Sequence, residues 1–289
     1  MKQALLRLKW GSAAWNHWRA ENPDLTISLD GVVLDGMILT GVNFSGVSLR
    51  RASLHAANLM NADLRKADFT HARLVEADLI GAKLDGAILE GADLREADLL
   101  GADAVHARCS LDDLRGALHV MLPFEVRRAS ETELEAIAAA HADSIESIGP
   151  RFYGADVVRA WRDAIDPRVY REAMAGGERF FVAATTLDGR PGVLGFSSHY
   201  VDDGEHGLAV YVRGMAARRG IGSALLRAAE ASAAAAGAAR VRIDASLAAV
   251  DFYKANGFTA AGRGEHTLRS GCTMACVVMQ KNLGGVGVQ

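Results

Sequence analysis

A chain of 289 residues, half of them hydrophobic and only five of them proline, is long enough for two domains with full-sized cores and too apolar for bulk disorder. Its net charge of −3 implies no general attraction to nucleic acid or to a membrane surface. Three cysteines without a C-x-x-C spacing argue against a disulfide framework and suit reduced thiols in a cytoplasm, and nine histidines without ligand spacing predict no metal site.

Lys2, Arg7 and Lys9 precede no apolar run of signal-peptide length, and no stretch approaches the ~18 apolar residues of a membrane span. Trp10-Gly-Ser-Ala-Ala-Trp15-Asn-His-Trp18 follows. Trp15 and Trp18 stand i,i+3 on one helical face, which reads as a cap on the repeat beyond it; the alternative is an aromatic platform for a ligand.

From Ile27 to about Ala102 the chain repeats every five residues. Leu or Phe recurs at Leu29, Leu34, Leu39, Phe44, Leu49, Leu54, Leu59, Leu64, Phe69, Leu74, Leu79, Leu84, Leu89, Leu94 and Leu99. Two residues earlier stands a smaller apolar residue, alanine from Ala52 through Ala102. Neither a helix nor a strand keeps a period of five on one face. Extended pairs i−2 and i with a bend in each pentapeptide do, and repeated bends wind the chain into a solenoid with leucines on its axis. The pattern resembles the pentapeptide-repeat family, A-[DN]-L-x-x. That resemblance implies a right-handed quadrilateral β-helix of about four coils, four pentapeptides each. The repeat fails at Ala104, where Leu is due. Ser110, with Asp112 and Asp113 after it, predicts a short C-terminal cap helix, and Met121-Leu122-Pro123 a boundary. Residues 1–118 form the first domain on this reading and 119–123 a linker. Some members of the family it resembles mimic DNA with an acidic surface; with 13 acidic and 7 basic residues between Asp24 and Asp103, the resemblance weakly implies such mimicry toward a topoisomerase. The plainer readings are a rigid scaffold, or a surface for self-association or for docking a protein partner.

Residues 124–283 read as one α/β domain. Phe124–Arg128 is a strand, and Ser130-x-x-Glu133 a capping box. Leu134, Ile137, Ala138, His141 and Ile145 form a helical stripe on which His141 is a packing residue more readily than a catalyst. Helices follow over Asp156–Ala164 and from Asp166-Pro167. Phe180–Ala184 and Val193–Val201 are strands flanking an Asp188-Gly189 turn. Leu208–Arg213 is a strand. Gly220 and Gly222 then precede an alanine- and leucine-rich helix, and glycines at a helix start form an anion site suited to phosphate. A strand at 241–243, a helix over Leu247–Ala255 closed by Asn256-Gly257, and strands over 258–266 and 273–281 complete the domain. The tail 284–289 is expected to be flexible.

Ala217-Arg218-Arg219-Gly220-Ile221-Gly222 resembles the [QR]-x-x-G-x-[GA] loop of the GNAT acyltransferases, with Ala217 in the place of Gln or Arg. Asp244–Phe258, ending in Phe252-Tyr253-x-x-x-Gly257-Phe258, is similar to the family's second CoA motif. The resemblance implies an α+β domain with a mixed, mostly antiparallel sheet, and acetyl transfer from acetyl-CoA to an amine. It implies that Arg218, Arg219, Gly220, Ile221, Gly222 and Ser223 hold the pyrophosphate, and that Val210 and Val212 pair with the pantetheine arm as a strand does with a peptide. Ser246 would meet the cofactor where many members carry Asn. Tyr253 would be the general acid that protonates the departing thiolate; the alternative is an aromatic packed in the core. Glu205 is the best-placed carboxylate for a general base, with Asp202, Asp203 and His199 near it in sequence, although ordered water serves some members. Phe152, Tyr153 and Trp161 fall where the family admits its acceptor. The acceptor, a small molecule or a protein amine, is not identified. The alternative function is a protein that senses acetyl-CoA, or binds a partner through the repeats, without catalysis.

Overall fold

The computed structural model describes residues 2–268 and 270–283, so the tail 284–289 lies outside it. The chain divides into two compact units. One runs to Pro123 and includes Thr185–Gly192; the other comprises Phe124–Ala184 and the chain from Val193 onward. Among the described residues, no helix is long and apolar enough to cross a membrane.

In the first unit, α1 (Lys2–Lys9) and α2 (Ser12–Glu21) precede the repeats. Trp15 is completely buried. Its indole N–H donates to the Asn43 carbonyl at 2.7 Å, and its ring meets Phe44 edge-on at 5.3 Å. Asn16 donates to the Gly41 carbonyl and accepts from the Asn43 amide, at 2.9 and 2.7 Å. The Arg19 guanidinium donates to the Ser45 carbonyl at 2.9 Å. Side chains of α2 therefore satisfy backbone groups of the repeat that would otherwise remain open to pairing.

The repeat itself is a stack of coils. Ser28 bridges in parallel to Ser48, Val33 to Ser53 and Ile38 to Asn58, and the interval of 20 residues persists through Asp98 with Leu118. Each repeat Leu or Phe from Leu29 to Leu99 is buried, as is each alanine of the i−2 column from Ala52 to Ala102. The inner residue's amide donates to the next coil, as Leu29 does to Ser48 and Leu49 to Asp68, at 2.7 and 2.8 Å. Every fifth residue from Gly31 to Gly101 has a left-handed φ, between 53° and 71°. Glycine accepts that conformation without strain, whereas Arg51, Ala56, Lys66, His71, Glu76 and Glu96 adopt it against a cost of ~1 kcal/mol each. The amide bonds that these residues donate between coils, such as Ala56 to Val75 at 2.9 Å, hold them there.

The cap helix expected after Ala102 is absent; residues 111–116 form turns. The coil instead continues, with Ala104, Cys109 and Leu114 buried in the leucine column. Ser110 and Asp113 do make reciprocal side-chain-to-backbone bonds, at 2.7 and 3.2 Å. Glu96 and Leu99 then claim the carbonyls of Gly116 and Leu118, at 2.8 and 3.0 Å, which holds the segment in the coil register and leaves no length for a helix. Burial raises the Cys109 thiol to about 12, making it an inert core group.

The second unit is built on a seven-stranded sheet of order β1-β2-β3-β4-β5-β7-β6. The strands are β1 (Glu125–Arg128), β2 (Arg179–Leu187), β3 (Arg190–Asp202), β4 (Glu205–Val212), β5 (Arg240–Ser246), β6 (Thr259–Thr267) and β7 (Thr273–Asn282). The helices are α3 (Leu134–Ile148), α4 (Ala155–Asp163), α5 (Pro167–Ala175), α6 (Ile221–Ala235) and α7 (Val250–Ala255). The sheet is mixed and mostly antiparallel, with β4 and β5 parallel. One core cluster joins α3 and α5 to β2 and β3 through Ile137, Tyr170, Val182 and Phe196. Another joins α6 and α7 to β4, β5 and β7 through Leu208, Leu226, Ile243, Tyr253 and Met279. The Ser130–Glu133 capping box forms. Its carboxylate accepts from the Ser130 amide at 3.0 Å and from Arg127 at 2.8 and 2.9 Å. Hydrogen bonds from the Arg127 guanidinium hold Glu133 at about 2, well below the usual carboxylate range.

Two predictions follow from these contacts. Trp15→Ala leaves a large cavity and an unmatched Asn43 carbonyl; it should destabilise the repeat unit by ~3–5 kcal/mol in urea titrations of the full chain. Glu133→Gln should cost ~1 kcal/mol near neutrality. A lowered folded pKa gives stability that is present above the unfolded value and is lost as pH falls. The difference in Tm between wild type and variant should therefore shrink from pH 4.5 to pH 2.

Candidate active site

The site begins where two strands part. β4 and β5 pair at Gly207 with Arg242. Beyond that point β4 keeps its register with β3, Ser197 opposite Val210 and Gly195 opposite Val212, while β5 stays with β7 through Ser246 opposite Cys276. A wedge opens between Leu208–Val212 on one side and Ile243–Ser246 on the other. In it Val210 packs against the core cluster that holds Tyr253, and its backbone lies beside the Tyr253 hydroxyl. The Tyr253 ring is buried between Phe252 and Phe258, at centroid distances of 5.0 and 5.5 Å, and burial pushes its hydroxyl far above the ordinary tyrosine range. The ring is part of the core, and the hydroxyl lies toward the open edge of β4. A phenol so placed stays protonated at any working pH.

The loop into α6 stands at the wide end of the wedge. Gly220 has φ of 76° in open space, so its glycine is a conformational requirement. Gly222 is a packing requirement: a Cβ there would meet the Phe252 ring at 3.0 Å and Val212 Cγ2 at 3.6 Å. The first amide bonded within the helix is that of Ala224, to the Gly220 carbonyl at 2.9 Å. The amides of Ile221, Gly222 and Ser223 therefore point out from a helix start, where they favour an anion. Arg218, itself left-handed at 62°, and Arg219 add positive charge. Val210, Val212, Gly222 and Tyr253 are thus brought together by β4, α6 and α7, with Ser246 on the facing strand.

The start of this loop is tied down by residues not singled out in the sequence. Arg213 is buried, donates from Nε to the Val193 carbonyl at 2.9 Å, and stands 3.7 Å from the buried Asp143 of α3. The other Asp143 oxygen accepts from the Gly214 amide at 2.8 Å. Gly214 has no room for a side chain, because a Cβ would lie 2.4 Å from Ser147 Cβ.

Glu205 is not where the sequence reading put it. Asp203 and Gly204 both take left-handed φ, 49° and 80°, so an Asp-Gly hairpin turn extends β4 back to Glu205. It pairs with Asp202, and its carboxylate meets Arg242 at 3.3 Å. Five strand positions, roughly 17 Å, separate it from Val210, on the closed side of the wedge. Asp202 and Asp203 are exposed at the turn. His199 is buried against Ser232 and His206, both at 3.0 Å.

Of the three aromatic residues proposed for the acceptor, Phe152 is exposed. The Tyr153 hydroxyl donates to the Ala275 carbonyl and accepts from the Leu247 amide, at 2.8 and 2.7 Å, clamping the end of β5 to β7. Trp161 packs edge-on against Tyr153, His141 and Tyr211, at 6.0 to 6.5 Å. Tyr211 lies 3.8 Å from the His141 ring and stacks on Phe196 at 5.2 Å. His141, hydrogen-bonded to the Tyr170 hydroxyl at 2.7 Å, is pushed down to about 3 by burial and stays neutral, a member of this wall. Two cavities lie lower on the sheet. One of ≈280 Å³ is lined by Glu205, His206, Arg240 and Gln280. The other, ≈400 Å³, is lined by Gly177, Glu178, Arg179, His199 and Tyr200.

Comparison with known proteins gives the following. Residues 148–283 match the model of an acetyltransferase (GNAT) domain. Segments 27–65, 38–75 and 72–108 match the model of pentapeptide repeats. A GCN5-related N-acetyltransferase structure from Rhodopseudomonas palustris is 27% identical, with 57% of this chain and 99% of that one covered and a TM-score of 0.48. The PaiA N-acetyltransferase from Thermoplasma acidophilum, solved with coenzyme A, is 18% identical over 56% of this chain and 100% of its own, at 0.44. A phosphinothricin acetyltransferase from Sinorhizobium meliloti, solved with AcCoA, is 20% identical over 57% and 92%, at 0.41. A search of curated proteins returns no match.

The two glycines should fail for different reasons. Gly222→Ala should destabilise the chain by ~1–2 kcal/mol through overpacking, and Phe252→Leu in that background should recover part of the loss. Gly220→Ala should cost ~1 kcal/mol through backbone strain, which Phe252→Leu leaves untouched. A urea double-mutant cycle checks both.

Proposed function

We propose, starting from a chain that joins pentapeptide repeats to a GNAT acetyltransferase domain, that the protein moves the acetyl group of acetyl-CoA to an amine. The observation that carries this reading is the wedge between β4 and β5, with the glycine loop of α6 at its mouth and the Tyr253 hydroxyl within it. Its features fit the co-substrate. The amides of Ile221, Gly222 and Ser223, beside Arg218 and Arg219, suit a pyrophosphate. The freed edge of β4 at Val210 and Val212 suits the amide groups of a pantetheine arm, with Ser246 across from it. Acetyl-CoA supplies an activated acyl thioester; this chain supplies position and protons. Tyr253 gives a proton to the leaving thiolate, and Tyr211, Trp161 and His141 wall the approach.

The repeat region is inferred to be a right-handed quadrilateral β-helix over residues 1–118, followed by a short linker, 119–123, and the transferase domain, 124–283. Its coils have continuous backbone pairing and an outer surface of short polar side chains, which suits a rigid scaffold or a docking face for a protein partner.

Calorimetric titration with acetyl-CoA and with CoA tests the reading. Micromolar binding of both is expected, and Tyr253→Phe should retain it while turnover of an amine falls ~10²-fold or more. Absence of binding by the wild type overturns the assignment, and an unaltered rate in Tyr253→Phe removes that residue from the chemistry.

A further inference from the structure

The β4 edge and the glycine loop are consecutive in the chain, and Arg213 is the first residue beyond the end of β4 at Val212. Charged side chains are almost never fully buried unless paired. Arg213 and Asp143 of α3 keep only 4% and 1% of their side-chain surface exposed, and they stand 3.7 Å apart. Taking two charges out of water is costly, and apolar residues of similar volume often hold a core as well or better. Stability alone is therefore a poor reason for the pair. Its place in the fold supplies a better one.

Three segments meet there. Arg213 holds β3 twice, with its amide on the Leu194 carbonyl and its Nε on the Val193 carbonyl, both at 2.9 Å. Asp143 holds the chain one residue further on. One of its oxygens accepts from the Gly214 amide at 2.8 Å and from the Ser147 hydroxyl at 3.3 Å. A 3-10 turn, Gly214–Ala216, starts at that point. The Ala216 and Ala217 amides close it on the Arg213 and Gly214 carbonyls, at 3.0 and 3.2 Å. Met215 and Ala216 are buried, and so is Ile221 at the start of α6. Only Ala217, Arg218, Arg219 and Gly220 lie between these buried points, and Arg218 and Gly220 are fixed in left-handed backbone. Gly222 against Phe252 holds the far end of the loop; Asp143 and Arg213 hold the near end.

We propose that Asp143 and Arg213 are positioning residues for the co-substrate. They fix the angle at which the chain leaves the β4 edge, and with it the direction of the Ile221, Gly222 and Ser223 amides. The inference rests on the acetyl-transfer reading. Both residues act through the loop and take no part in the chemistry. A loop that is ordered before binding has little freedom left to lose, so the pair gives affinity for a diphosphate. It bears little on the pantetheine arm, because Val210 and Val212 keep their places through the register of β4 with β3.

The test replaces the pair in the full chain by apolar residues of similar size, Asp143→Leu with Arg213→Met, which should leave a folded protein. Three probes are titrated: CoA; ADP, which carries the diphosphate without the arm; and pantetheine, which carries the arm without the diphosphate. CoA and ADP should each bind at least ~tenfold more weakly than to wild type, and pantetheine within about twofold of it. Asp143→Asn keeps the shape and an acceptor for the Gly214 amide. It should show the same selectivity with a loss of ~threefold, and it carries the test if the double variant does not fold. Unchanged CoA affinity overturns the proposal. So does a loss shared equally by CoA and pantetheine, which marks a loosened fold. ADP reads the loop even where pantetheine binds below detection, and an ADP affinity that does not fall also overturns the proposal. Failure of the acetyl-transfer reading shows separately, as a wild type that does not bind CoA.

Discussion

Beyond Gly207 the edge of β4 no longer pairs with β5, and unpaired backbone in a protein interior has to find another partner. Here the Tyr253 side chain packs against that edge at Val210, and the rest of the domain is arranged around it. α7 carries Tyr253 under the sheet, where Phe252 and Phe258 pack on the ring. It also places Phe252 against Gly222, so the start of α6 and the end of β4 share one contact. Packing on its flanks holds the wedge: β3 holds one lip, and β7, with the Tyr153 clamp, holds the other.

The repeat unit rests on a different constraint. A backbone that turns every fifth residue pays for tight corners with left-handed φ, and it offsets that with bonds from coil to coil and with a column of buried leucines. Local strain and long-range pairing are thus matched residue by residue. The same pairing explains why the polar sequence after Ala102 does not form its cap helix: a free coil edge competes with an isolated helical turn, and a single turn is costly to nucleate.

The repeat was legible because its period is unbroken and each position has one environment. The glycine loop and Tyr253 were legible because short motifs place them close in sequence to the elements that use them. What escaped reading was either local but unweighed or wholly non-local. Asp203-Gly204 carries the same turn signal as Asp188-Gly189, and weighing it would have moved Glu205 into the strand and away from the wedge. Asp143 and Arg213 lie in different elements and meet only through the fold; nothing near either residue names its partner.

α3 carries His141 in the aromatic wall and, two residues later, Asp143 at the root of the glycine loop. One rigid rod is therefore bolted to both sides of the site. A tilt of that rod moves the wall and the loop together, so the two halves of the site form a single mechanical part. A substitution that reshapes the wall to suit a new acceptor is transmitted to the loop as well, and the cheapest route to a different acceptor runs through residues that α3 does not hold.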